Sequence, residues 1–399
     1  MIEDTLVQRY NVPVPRYTSF PTVPFWTIQD DRKQWESQLL KASKAGKLKD
    51  GLSLYIHLPF CESLCTYCGC NKRITKNHNV ESTYIAALLK EWDMYVHTLG
   101  ADVSIREIHL GGGTPTFFSP ENLQALISGL FQRAQKHQNF EGSFEGHPNN
   151  TTYAHLQALY NLGFRRVSFG VQDMDLKVQT AIHRIQPLEN VERVCKDARA
   201  VGYTSVNFDL IYGLPFQTKE SVRNTFQSVL ELRPERIAFY SYAHVPWTSK
   251  SQRAYSETDL PTGSDKRALY ELGKQMLMNE GYEDVGMDHF ALPGDDLLEA
   301  KWQGSLHRNF MGYTTAPSEV LIGLGVSAIS DAFFAYRQNE KTLEDYYIAL
   351  ENNTFPTTKG IDLSKQDINI RRHILDITCQ LKTQLPPIGS PIRTARSEG

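Results

Sequence analysis

From residue 50 to about residue 243, short runs rich in β-branched and aromatic residues alternate with stretches whose apolar positions recur every three or four residues. The short runs are SLYIHLP (53–59), IREIHL (105–110), GSFEGHP (142–148), RRVSFGVQ (165–172), SVNFDLIYG (205–213) and RIAFYSYA (236–243). Their length and composition predict strands. Between them, Leu123, Leu126, Ile127, Leu130 and Phe131 fall at helical spacing behind Ser119 and Pro120, a cap and a first-turn residue. TTYAHLQALYNLG ends on Gly163 and TKESVRNTFQSVLELRP stops at Pro234, both natural helix ends. Repeated β–α units fold as parallel sheets with right-handed crossovers. Six units fit a partial (β/α)6 barrel of the α/β class better than an open doubly wound sheet, and periodicity alone does not separate the two.

Beyond residue 250 the period changes. SDKRALYELGKQMLMNEGY reads as a helix, YEDVGMDHF as a strand, HRNFMGYTT as an irregular aromatic loop, GLGVSAIS as a buried strand and LEDYYIALENN as a helix. The expected organisation is an N-terminal arm (1–48), the partial barrel (49–250), a mixed α+β C-terminal extension (251–380) and a tail (381–399). Rich in Pro, Ser, Gly and Arg and without hydrophobic period, the tail is expected to be disordered or aberrant.

Composition narrows the class. The 399 residues carry a formal charge of -3 with no long run of one sign, which argues against a nucleic-acid surface. No apolar stretch approaches the roughly 18 residues a membrane span needs. The polar, acidic N-terminus lacks the basic start and apolar core of a secretory signal, so a cytoplasmic protein is expected. Six cysteines stand at 61, 65, 68, 70, 195 and 379. Four within ten residues of a long cytosolic chain point to metal rather than disulfides. Cys195 sits at helical spacing and reads as core packing.

The spacing Cys61-x3-Cys65-x2-Cys68 decides between metals. Structural zinc takes four ligands, usually as two separated pairs, and no second pair exists outside this loop. A [4Fe–4S] cluster held by three cysteines leaves one iron open to chelate the amino and carboxylate groups of S-adenosylmethionine (SAM), a cofactor chemistry that the protein need only position and keep dry. A zinc-bound structural protein without catalysis stays as the rival. Tyr67, inside the loop, is placed to lie near an adenine or simply to pack. GGGTPT (111–116) lacks the Lys-Ser/Thr of a phosphate loop. Its glycines let backbone approach a ligand closely. The Cys loop, GGGTPT, Glu145, Gln172, Asp209 and Ala243-His244 all fall at or just past predicted strand ends, the face where β/α barrels build active sites.

CESLCTYC with GGGTP resembles the radical SAM superfamily. PRYTSFPT (15–22), YIHLPFCESLCTYCGCNK (55–72), GGGTPT, FGVQD (169–173), NFDLIYGLP (207–215), YAHVP (242–246), GMDHFA (286–291), LHRNFMGYTT (306–315) and GVSAIS (325–330) more narrowly resemble the oxygen-independent coproporphyrinogen III oxidases, from about residue 5 to about residue 380. The resemblance implies conversion of coproporphyrinogen III to protoporphyrinogen IX through a 5′-deoxyadenosyl radical. It implies Cys61, Cys65 and Cys68 as cluster ligands, with Cys70 setting the family apart without ligating iron. It implies Tyr55, Gly112 and Glu145 around one SAM, and Tyr67, Gly113, Thr114, Gln172, Arg184, Asp209, Ala243 and Ile329 around a second. Glu145 and Arg184 are the candidates for catalytic roles; carboxylates suit amines and hydroxyls, and a planar guanidinium suits a carboxylate of SAM or substrate. Arg16 and Arg308 are candidates to meet the substrate's propionates, whereas His57, His244, His289 and His307 read as hydrogen-bonded structural residues. Expected partners are coproporphyrinogen III and an electron donor such as flavodoxin or ferredoxin, and the chain is expected to be a monomer. Family members continue past Cys379 into a small helical domain that QLKTQLPPIGSPIRTARSEG does not match, so a truncated end is expected, with the cluster and SAM site intact and full activity in question. The alternatives are the related haem chaperone, which lacks the PRYTSFPT arm and the CGC ending, and an inactive truncated homologue.

Overall fold

Six of the strands form the structural spine: β1 (Leu52–Leu58), β2 (Ser104–Gly112), β3 (Gln135–Gly146), β4 (Phe164–Gln172), β5 (Ser205–Tyr212) and β6 (Arg236–Ser241). β1 is buried at six of its seven positions, as expected for a parallel strand covered on both faces. In the computed structural model, which describes residues 19–28, 32–100 and 102–384, all six run parallel and lie side by side in chain order. A doubly wound sheet would reverse its strand order at a switch point. None of the six does so, and the sequential order is that of a barrel wall.

Helices on the outer face join them. Ser119 Oγ accepts from the Asn122 backbone N–H at 3.2 Å and Pro120 opens the helix Pro120–Arg133. Thr152 and His155 form a capping box at Tyr153–Asn161. Arg233 takes a left-handed conformation after Lys219–Leu232, as the residue before a proline is barred from continuing a helix. The apolar faces of these helices and both faces of the sheet share one core, including Trp92, Leu126, Phe144, Phe169, Val194, Phe208 and Phe226. Cys195 lies in this core, as its spacing predicts.

The extension differs from its sequence reading in three places. YEDVGMDHF is a hairpin, Glu283–Gly286 against His289–Ala291, with Met287 and Asp288 at φ 39° and 70°. Paired positive φ values match the turn that suits twisted strands. HRNFMGYTT is also a hairpin, His307–Asn309 against Gly312–Thr314. GLGVSAIS folds back between Leu321–Leu324 and Ile329–Asp331. Hydrophobic alternation runs through all three turns, so the period does not reveal them.

These strands continue the same sheet at both ends. Leu321–Leu324 pairs parallel to β1, and His289–Ala291 pairs antiparallel to β6. Ile329–Asp331, Ala335–Asn339, Thr357–Asp362 and the arm strand Thr27–Ile28 complete thirteen strands. The arm is also held by Trp26, which stacks on Tyr336 at 5.4 Å. Arg16 and the first half of PRYTSFPT lie outside the described residues, as does the tail beyond residue 384. Among the described residues no helix is long and apolar enough to cross a membrane.

A buried carboxyl ties the extension to the barrel. Glu91, on the helix Val80–Leu99, accepts from Tyr346 Oη at 2.7 Å, Gly325 N at 2.8 Å and Asn339 Nδ2 at 2.7 Å. Burial, opposed by these donors, raises its pKa to about 7. The folded protein therefore holds this proton more tightly than the unfolded chain, and its contribution to stability is complete below the ordinary carboxyl pKa and lost as pH rises through 7. The unfolding free energy from urea titration is expected to fall between pH 5.5 and pH 8 by an amount on the order of 1–3 kcal/mol. Glu91→Gln should remove that share of the slope; an unchanged slope would show that Glu91 does not hold the proton.

Candidate active site

The cysteine loop leaves β1 through Pro59. Its ends are zipped by a two-residue parallel ladder, Phe60–Cys61 with Arg73–Ile74, so residues 61–73 form a closed loop over the C-terminal end of the barrel. A second set of bonds fixes it sideways. Thr66 N and Oγ1 donate to the carbonyls of Ile182 and Ala181 at 3.0 and 3.1 Å, and the Leu64 carbonyl accepts from His183 Nδ1 at 2.9 Å. Gln252 Nε2 donates to the carbonyls of Tyr67 at 3.0 Å and Ala243 at 3.2 Å. The loop is thus held from outside by the end of β1, by residues 181–183 beyond β4 and by Gln252 beyond β6. From within it is held by Lys72, whose Nζ donates to the carbonyls of Cys68 at 2.9 Å and Cys70 at 3.4 Å.

Cys61, Cys65 and Cys68 all face one cavity of about 570 Å³. Thr114 Oγ1 donates to Cys61 Sγ at 3.3 Å, and Arg184 Nη1 approaches Cys65 Sγ at 3.7 Å. The Cys70 thiol bonds to Cys68 and, with Lys72 and Arg184 nearby, lowers the Cys68 pKa to about 6 against the opposing effect of burial. Cys70 and Lys72 thus favour at Cys68 the thiolate, the form that binds metal. Among the described residues, no three His, Cys, Asp or Glu side chains converge on a single metal position. In a cluster each thiolate takes a different iron, so three thiols of one loop can serve it without meeting at a single point.

The rest of the cavity wall comes from the strand ends. At the end of β2 all three glycines are required. A Cβ on Gly111 would meet the Tyr55 ring at 2.9 Å and Glu145 Oε1 at 3.0 Å, and one on Gly112, at φ 117°, would meet the His57 ring at 2.8 Å. A Cβ on Gly113 would lie 2.6 Å from the Pro59 carbonyl oxygen and 3.0 Å from Cys61 Sγ. Glu145, at the end of β3, accepts from Gly112 N at 3.2 Å. Gln172 ends β4 at φ 66°, where the register with β5 shifts between Gly170 and Gln172.

Arg184 donates through Nη2 to the Gly170 carbonyl at 2.6 Å, and its Nε is buried with no partner. An unpaired buried guanidinium nitrogen is costly, and an anionic or acceptor group of a bound cofactor would satisfy it. Asp209 accepts from Ser168 Oγ at 3.0 Å and Asn207 Nδ2 at 2.8 Å. Burial, and then the charge of Glu145, raises its pKa to about 6. The donor set, with soft sulfur on one wall and two carboxylates and an unsatisfied guanidinium on the other, fits a cluster and a zwitterionic nucleoside cofactor.

Of the residues named from sequence, Tyr67, Gly112, Gly113, Thr114, Glu145, Gln172, Arg184 and Asp209 share this cavity with the three cysteines. Tyr55 sits behind it, donating to His57 Nδ1 at 3.0 Å and stacking on His109. The His57 Nε2–H is then the donor to the Asn71 carbonyl at 2.9 Å, and burial keeps the ring neutral, so His57 braces the loop. Ala243 and Ile329 do not line the cavity. Ala243 is exposed, and Ile329 packs with Trp26, Phe310 and Tyr336 on the extension. His109, Ser168, Asn207 and Tyr240 were not singled out from sequence. The first three hydrogen-bond Glu145 or Asp209, and Tyr240 lines both this cavity and a smaller polar chamber inside the barrel. Their only local signal is the inward-facing alternation of β2, β4, β5 and β6.

The model of the radical SAM superfamily matches residues 55–229. Over 379 residues the chain is 41% identical to the oxygen-independent coproporphyrinogen III oxidase of Helicobacter pylori, covering 94% of this chain and 82% of that one. It is 38% identical to the Escherichia coli protein of the same name over 385 residues, covering 96% and 82%. The solved structure of coproporphyrinogen III oxidase from Escherichia coli, described as a radical SAM enzyme, superposes with a TM-score of 0.88 at 36% identity, over 94% of this chain and 84% of that one. A loop of three thiols, a glycine-lined strand end and two strand-end carboxylates, matched along nearly the whole chain, leave one assignment: the protein belongs to the oxygen-independent coproporphyrinogen III oxidase family of the radical SAM superfamily.

Proposed function

We propose that this chain converts coproporphyrinogen III to protoporphyrinogen IX without oxygen, in the cytoplasm and as a monomer. Two propionates each lose one hydrogen atom, carbon dioxide and one electron to become vinyl groups. The observation that carries the reading is the meeting of Cys61, Cys65 and Cys68 with Glu145, Arg184 and Asp209 around one cavity. The cluster and SAM, when bound, supply the one-electron reduction and the hydrogen-abstracting radical.

The chain's own residues bind and orient. Cys61, Cys65 and Cys68 hold the cluster, and Thr114 and Arg184 fix two of their sulfurs. Gly112 and Glu145, backed by Tyr55, take the amino-acid end of one SAM. Tyr67, Gly113, Thr114, Gln172, Arg184 and Asp209 form the wall for a second. Support for two lies in its two carboxylates, Glu145 and Asp209, which stand on different strands of the cavity wall. Residues 49–250 form the catalytic barrel and residues 251–380 close its open side. A one-electron protein donor such as flavodoxin or ferredoxin serves the cluster.

Anaerobic reconstitution with iron, sulfide and a reductant tests this. Formation of protoporphyrinogen with release of 5′-deoxyadenosine supports the oxidase. Tight haem binding without decarboxylation would favour the chaperone reading instead.

Asp209 gives a pH signature. Because its pKa is raised to about 6, it is protonated below that pH and a weaker acceptor for an ammonium or hydroxyl. SAM affinity is expected to rise several-fold between pH 5.5 and pH 7.5. Asp209→Asn should flatten the profile and weaken binding about tenfold, or roughly 1.4 kcal/mol. A pH-dependent Asn variant would remove Asp209 from the site.

A further inference from the structure

His147 stands directly after the last residue of β3. Side chains alternate along a strand, so it points the same way as Glu145 and joins the wall of the cofactor cavity beside Gly170 and Arg184. Its backbone is pinned there. The His147 carbonyl accepts from Asn150 N at 3.0 Å, from Thr151 N at 2.9 Å and from Thr151 Oγ1 at 2.9 Å. The Pro148 carbonyl accepts from Arg193 Nη2 at 2.9 Å. Asn149 Nδ2 donates to the Ile185 carbonyl at 3.0 Å, which ties this turn to the segment that carries Arg184.

The ring is fixed as well. Asn149 N donates to His147 Nδ1 at 3.1 Å. A backbone N–H only donates, so Nδ1 carries no proton and the neutral ring carries its proton on Nε2. Burial, and then the charge of Arg184, lowers the pKa to about 2, which keeps the ring neutral. Among the described residues no group accepts from the Nε2–H. The ring therefore presents one oriented, unused donor to the cavity.

Beside it stands Arg184, whose Nε is buried without a partner. A cationic and a neutral donor on adjoining segments call for an acceptor with negative charge and several lone pairs. The hydroxyls and ring nitrogens of a nucleoside lack the charge; a carboxylate has both.

We propose that His147 is a ligand-binding residue whose Nε2–H, next to Arg184, donates to a carboxylate in the cofactor cavity. The methionine end of SAM and a propionate of the tetrapyrrole both offer that group. Either source rests on the function proposed above.

Two substitutions separate the donor from the turn. Asparagine places its amide oxygen where Nδ1 stands and accepts an N–H two residues on, so His147→Asn keeps the turn and loses the donor. Glutamine reaches with its amide N–H toward the place of Nε2, so His147→Gln keeps a donor and loses the turn bond. The wild type and both variants, as the full chain with a reconstituted cluster, are titrated with three probes. These are SAM, 5′-methylthioadenosine, which lacks the amino-acid end, and coproporphyrin III, the stable oxidised tetracarboxylate.

His147→Asn is expected to bind SAM about tenfold more weakly, as for one lost hydrogen bond to a charged group, and His147→Gln within about twofold of wild type. All three proteins should bind 5′-methylthioadenosine alike, with cluster absorbance and unfolding midpoint unchanged in the Asn variant. The same pattern with coproporphyrin III in place of SAM would support the carboxylate site and assign it to the substrate. Weaker binding of 5′-methylthioadenosine by His147→Asn would put the acceptor on the nucleoside and overturn the carboxylate reading. The reverse order, with the Gln variant weakened and the Asn variant normal, would make His147 a turn residue only. Equal affinities in all three proteins, or equal loss in both variants, would also overturn the proposal. Failure of the wild type to bind SAM at all is a separate result, which would overturn the cofactor reading and this one with it.

Discussion

Cys65→Ala is expected to abolish the iron–sulfur absorbance and all reductive cleavage of SAM, and to leave the barrel folded. Cys65 is only partly buried and belongs to none of the hydrophobic clusters, so its loss removes little packing. The bonds that hold the loop come from backbone groups and from Thr66, His183 and Gln252, and all of them survive the substitution. What is lost is one of the three thiolates assigned to the cluster, and with it Arg184's contact to sulfur. Activity should drop below detection, with the circular dichroism spectrum unchanged and the unfolding free energy altered by less than about 1 kcal/mol. Retention of the cluster would show that Cys70 or another group is a ligand in its place.

Gly113→Ala should lower kcat/KM by about a hundredfold although no functional atom is removed. The new methyl would lie 2.6 Å from a backbone oxygen and 3.0 Å from Cys61 Sγ. The Pro59 carbonyl cannot swing aside, because it accepts from Arg73 N at 2.8 Å in the ladder that closes the cysteine loop. The strain therefore passes to Cys61 and to the spacing of the sulfurs, and a displacement near 1 Å at a reacting centre costs on the order of a hundredfold. Gly69→Ala is the matched control. A Cβ at that position meets nothing within 4 Å, so cluster content should stay at the wild-type level. Equal loss in both variants would mean that the loop tolerates no side chain anywhere, and that the close approach at Gly113 is not the cause.

Much of this was legible beforehand because it is local. Each barrel strand announces itself as a short β-branched run, and Ser119-Pro120 and Arg233-Pro234 mark helix ends through their own backbone chemistry. The cysteine spacing limits the metal chemistry on its own. A succession of polar or glycine residues at strand ends points to a shared face, because parallel strands of a barrel bring their C-terminal ends together. The hairpins at 283–291 and 307–314 were missed since a two-residue turn leaves the hydrophobic alternation unbroken on either side.

Other features exist only in three dimensions. Ser168 and Asn207 support Asp209 because of the register of β4 against β5, which brings Ser168 opposite Asn207. No property of either residue alone predicts it. Ile329 stands in a motif of the resemblance, and its packing with Trp26, Phe310 and Tyr336 follows from how the extension folds back on the sheet. The same holds for Asp331 and Arg371, which stand far apart in the chain and are spent on one another in a two-point pair. The amino-acid sequence by itself determined the barrel, the three-thiol loop and the family, since these rest on spacing along the chain. The tertiary structure alone decided which side chains meet, which are spent on one another and which are left waiting for a ligand, since those outcomes depend on contacts between residues far apart in the chain.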